Sequence, residues 1–151
     1  MSSLNVRTAI KAFLAANLPT ESILDITAEF EDIQDFLNAA GVGLDNPWLG
    51  VQFASFGEEP VDILATNSKG KYRETGTIFL HIVDVAKKDV HNGILVRAEA
   101  IRDKLRGQRI GSILIESVSP ANFGTGVTLS FEGGYVAAVV TADYEYDRVL
   151  G

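Results

Sequence analysis

A chain of 151 residues, 46% hydrophobic and 22% charged with 14 Gly and 4 Pro, has the make-up of one globular domain. It is not that of a fibre or a disordered tail, and a chain of this size buries about two-thirds of its unfolded surface. The absence of cysteine excludes disulfides, thiolate metal sites and cysteine nucleophiles, and leaves the redox compartment open. Twenty acidic against thirteen basic side chains give a net charge of −7, which favours solubility and repels phosphate backbones, so it disfavours tight wrapping of nucleic acid.

Read in chain order, the opening MSSLNVRTAIKAFLAANL breaks its apolar pattern with Arg7 and Lys11, so it lacks the unbroken apolar core of a signal peptide. No apolar run approaches the roughly 18 residues of a membrane span; the expectation is a soluble protein made in the cytosol, without membrane contact. Leu4, Ala9, Ile10, Phe13, Leu14 and Leu18 fall at helical spacing over 4–17, with Ser2 or Ser3 as N-cap and Pro19 as the stop. SILDITAEF (22–30) alternates like a short strand with one buried face. Ile33, Phe36, Leu37 and Ala40 predict a helix over 31–40, with acids at its start and Gly41 at its end.

NPWLGVQFASFG predicts a strand over about 48–55, beginning with Trp48 just after Pro47. From Gly57 to Gly76 the chain turns polar around one weak apolar patch, Val61 to Leu64. Such a stretch is either a long functional loop or a long hairpin whose tip, NSKGK, projects beyond the sheet. TIFLHIVDVA (77–86) is apolar on both faces, as suits a central strand covered twice or one with a partner on its outer face.

The longest predicted helix is 90–106. Ile94, Leu95, Ala98, Ile101 and Leu105 form its apolar stripe, Arg97, Arg102, Lys104 and Arg106 point outward, and Gly107 ends it. RIGSILIESVSP, GVTLSF and YVAAVVTADYEYDRV then read as successive strands, with EGG at 132–134 turning the last two into a hairpin. In the final strand Val136, Ala138, Val140, Ala142, Tyr144 and Tyr146 share a face, and the two alanines leave room for a closely packed helix. The opposite face ends in Asp143, Glu145 and Asp147, and is wet or meets a partner. The class is α+β, a single domain spanning 1–151.

Catalytic signatures are missing. His81 and His91 lack the spaced acids of a metal motif and read as structural histidines. Ser112 in RIGSIL lacks the second glycine of a nucleophile elbow. NSKGK carries Gly-Lys, but Ala65 stands where a phosphate loop needs its first glycine; GVG at 41–43 follows a helix where a dinucleotide fingerprint follows a strand. DYEYD (143–147) places three carboxylates on one side of a strand, which suits a hard cation, a solvated face or an intersubunit charge strip. No carboxylate pair is marked for acid–base work. Catalytic, cofactor and metal residues are therefore assigned as none.

The order of parts carries one resemblance. A first helix, PWLGVQF, a long polar stretch leading to YRETGTIFLHIVDVA, a helix with a basic outer face, and the closing SPANFGTGVTLSFEGGYVAAVVTADYEYD together resemble the tail terminator (tail completion) proteins of long-tailed bacteriophages, the lambda-type family. The likeness covers nearly the whole chain, and rests on hydrophobic pattern and turn placement rather than on a catalytic signature. It implies a mixed, mostly antiparallel sheet with helices on one face, and six copies closing into a ring.

The implied ring is a structural part of the virion, assembled in the host cytoplasm. It caps the head-proximal end of the tail tube, stops polymerisation of the major tail tube protein, and offers its other face to the head–tail connector or stopper protein. Six copies at −7 would carry −42 around a lumen through which genomic DNA passes without being held. The 57–75 segment becomes an arm, with Lys69, Lys71, Tyr72 and Arg73 as contact residues toward a neighbour's Asp143, Glu145 and Asp147. Tube and neck proteins share this architecture and form the nearest alternative. A small α/β enzyme or ligand-binding domain is the other.

Overall fold

Residues 4–26, 47–60, 71–85, 88–123 and 135–149 are described by the structure, a computed structural model. The first helix, α1 (Leu4–Asn17), buries Val6, Ile10 and Leu14 at steps of four, with Leu18 continuing the line past its end. Leu4, expected on that stripe, lies two residues from Val6 and so points away; it is exposed. The short strand β1 (Ile23–Asp25) follows. The helix predicted over 31–40 and residues 27–30 of the first predicted strand fall outside the described residues.

β2 (Trp48–Pro60) and β3 (Lys71–Val85) pair antiparallel from Trp48↔Val83 to Pro60↔Tyr72, with one bulge between Ser55 and Gly57. The hairpin alternative therefore describes this region. Residues 57–60 and 71–75 are ladder-paired strand instead of loop, and only 61–70, including most of the NSKGK tip, lie outside the described residues. The sequence hides these strands because GEEP and KYRET lack the alternating apolar pattern of a half-buried strand.

The second helix, α2 (Val90–Leu105), starts after Asp89 in a left-handed conformation (φ 61°), which Asp tolerates better than most residues. Its buried stripe is Val90, Ile94, Ala98, Ile101 and Leu105. Three assignments change: Leu95 leaves the stripe, and Arg97 and Arg102 do not face out. Leu95 follows Ile94 by a single residue, about 100° around the helix, and is 41% exposed. Arg97 and Arg102 are largely buried, their side chains 18% and 16% exposed, and Arg97 turns to the body rather than to water. Gly107 follows the helix at φ 68°, as its place in the sequence predicts.

β4 (Arg109–Ile110) and β5 (Ile113–Val118) form a tight hairpin where the alternation alone suggested one strand. Gly111 at φ 60° is the first of the two turn residues, the position where a type II′ turn requires glycine. β6 (Asn122–Phe123) and β7 (Tyr135–Val149) complete the sheet. Between β5 and β6 the ladder is bridged by Ser119, whose N–H donates to Thr141 O (2.8 Å) while its Oγ accepts from Thr141 N–H (2.9 Å). The GVTLSF strand and the EGG turn lie outside the described residues.

The seven strands form one curled mixed sheet in the order β1-β2-β3-β7-β5-β4, with β6 beside β5 along β7. Among the described strands only β1–β2 is parallel. Both helices pack on one face, over a core that joins Val51 and Phe53 of β2, Ile78, Leu80 and Ile82 of β3, and Ala138, Val140, Ala142 and Tyr144 of β7. α2 lies on β3, β7 and β5. α1 reaches toward both edges of the curled sheet: Arg7 and Lys11 bind Asp25 of β1 at 2.7 and 3.2 Å, and its other flank lies against β4. The outer face is also buried along its middle, at Trp48, His81, Val83 and Val139, with Ile26 packed on Trp48 across Gly50.

Candidate interaction surface

β3, β7 and β5 run side by side, and their outer face changes character along its length. Around His81 it is buried; towards the far end of β3 it becomes polar and partly open. Strand alternation puts Arg73, Thr77, Asp143, Glu145 and Asp147 on this face, because Arg73 stands opposite Asp147, Thr75 opposite Glu145 and Thr77 opposite Asp143.

The Arg73 guanidinium forks onto Asp147, with Nε–H donating to Oδ1 at 2.8 Å and an Nη–H to Oδ2 at 3.3 Å. Glu145 Oε2 lies 3.8 Å from the same Nε. These carboxylates, Asp147 first, hold Arg73 above its ordinary basicity. Asp143 accepts from Thr77 Oγ1 at 2.7 Å and from Ser117 Oγ at 3.1 Å.

A fourth carboxylate joins them from β5. The ladder between β5 and β7 slips between Ile115 and Ser117, and Glu116 occupies the irregularity. Its carboxyl is raised above the ordinary glutamate value, first by a hydrogen bond with Glu145, then by partial desolvation and by the charges of Glu145 and Asp143. A hydrogen bond between two carboxyl groups needs a proton on one of them, and that is why the acid form gains. Three acids, Asp147, Glu145 and Glu116, thus act on one guanidinium, with Asp143 farther along the same face, and the patch keeps an excess of negative charge.

Of the residues predicted for contact, the fold brings Arg73, Asp143, Glu145 and Asp147 together, but within one chain. Arg73 is engaged by its own Asp147, an arrangement that cross-strand register creates and that spacing in the sequence does not show. Tyr72 is half-buried in β3, Lys71 is the first residue of that strand, and Lys69 lies outside the described residues. Sequence reasoning missed Glu116, Thr77 and Ser117. A single glutamate at the end of an alternating run carries no signal, because its place depends on a bulge.

Beneath this patch sits the buried partner of the polar end. Tyr144 donates to Glu74 Oε2 at 2.7 Å, and Gly76 makes the space for the phenol ring. A Cβ on Gly76 would collide with the Ala54 carbonyl and come 2.7 Å from the Tyr144 hydroxyl. Past Tyr146 the strand β5 has ended, and the rungs Arg73↔Asp147 and Tyr72↔Arg148 continue as a three-stranded extension of β2, β3 and β7, followed by Lys71↔Val149 between β3 and β7 alone.

The other chemically capable side chains stand apart. His81 is buried, with Nε2 3.1 Å from Gln52 Oε1, and burial pushes its pKa down to about 4. His91 is exposed on α2 and tilts against the Phe123 ring, 5.1 Å between centroids. Ser112 is exposed in the β4–β5 turn. Among the described residues no group of three or more His, Cys, Asp or Glu is placed to hold a metal ion, and no helix is long and apolar enough to cross a membrane. No protein-family model and no curated protein matches the chain.

Proposed function

We propose that this chain acts by assembly: a ring-forming virion protein that terminates the tail tube of a long-tailed bacteriophage and presents the surface to which the head is joined. The observation that carries the reading is the extension of β2, β3 and β7 along the rungs that follow the last β5 pairing. A sheet lengthened past its core with polar residues gains little stability of its own, so its length is better explained by a surface outside the chain. The order of helices and strands, which resembles the terminator family, supplies the identity of that surface: a neighbouring copy and the tube protein.

The acidic outer patch fits the same role, since it disfavours DNA sticking to a part that DNA must pass. In this reading the protein has no catalytic role, and its place is the head-proximal end of the tail. The related tube and neck components remain the alternative, because they share the same layered sheet.

Native mass spectrometry alone and with purified tail tubes tests the proposal. A terminator gives a closed ring, near 98 kDa for six copies of the 16.3 kDa chain, that decorates one end of each tube. A tube component instead forms open stacks of rings. A chain that stays monomeric both alone and on tubes overturns the reading.

A further inference from the structure

No further inference is drawn: the strongest candidate, the acidic cluster of Glu116, Asp143, Glu145 and Asp147 on the outer face of β5 and β7, is answered in part by Arg73, Thr77 and Ser117 of the same chain, and nothing else in the structure shows which cation or partner would cover it.

Discussion

At His81 the chain keeps an imidazole fully buried with a single amide, Gln52, as its hydrogen-bond partner among the described residues. The consequence is a defined pH response. Above pH 6.5 the ring is neutral both folded and unfolded; between pH 6.5 and about 4 the unfolded chain takes up a proton that the folded chain refuses. Stability therefore falls as the pH drops through that window, by up to about 3 kcal/mol for this group. Urea denaturation at pH 7 and pH 4.5 should show His81→Gln losing about 2 kcal/mol less than the parent chain between the two. Equal losses would mean that His81 does not carry the effect. Arg97 is the second residue with a measurable share. Its guanidinium forks onto Glu21 (2.9 and 2.6 Å) and also donates to the main-chain carbonyls of Val83 (3.0 Å) and Trp48 (3.2 Å). It thereby ties α2 to the ends of β2 and β3. Arg97→Ala strands a largely buried carboxylate and should cost about 3 kcal/mol. Arg97→Lys keeps the charge but not the fork and should recover less than half of that; full recovery by lysine would reduce the site to a simple charge pair.

Among the elements, α2 separates what periodicity shows from what it hides. Val90, Ile94, Ala98, Ile101 and Leu105 repeat at helical steps and pack on the sheet, so the stripe was legible. Leu95 and Arg97 were misplaced for opposite reasons: the first is apolar but stands a turn-third off the stripe, the second is charged but has an acid and two carbonyls waiting in distant segments. Leu105→Ala should cost roughly 2–5 kcal/mol, whereas Leu95→Ala should stay within about 0.5 kcal/mol, a contrast that thermal or urea unfolding resolves directly. The β2–β3 hairpin shows another limit. Its inner half reads as strand because both faces are apolar, while its outer half reads as loop because pairing there is between polar residues whose partners, such as Asp147 for Arg73, lie 74 positions away. The acidic side of β7 was visible as a period of two, but the bulge that brings in Glu116 was not. Replacing 66–71 by a short Gly-Ser turn should leave unfolding unchanged, because the described core draws on none of these residues. Under the proposed role it should produce tails of abnormal length or tails that fail to join heads. Normal, infectious tails from the shortened protein would make the hairpin tip a passive loop.

For the whole molecule, the charge of −7 sets how it meets a polyanion. Under the proposed role, the protein should not retard duplex DNA at physiological salt, binding more weakly than the ~10⁻⁴ M at the loose end of ordinary non-specific binding; tighter, salt-sensitive binding would contradict an acidic passage. The strand order has a consequence of a different kind. β7 is the last strand along the chain, yet it lies between β3 on one side and β5 and β6 on the other. While the polypeptide is being made, β2 and β3 can meet as a local hairpin, but the sheet has no middle until Tyr135–Val149 has left the ribosome. Pairing with β7 closes a separation of more than sixty residues at Arg73↔Asp147, a long-range contact that is slow to form. A chain released before β7 would hence have two half-sheets, and α2 would lack one of the three strands on which it lies. Translation itself would act as the inspector: under the proposed role, a copy cut short before β7 would be kept out of a ring because its sheet lacks a middle.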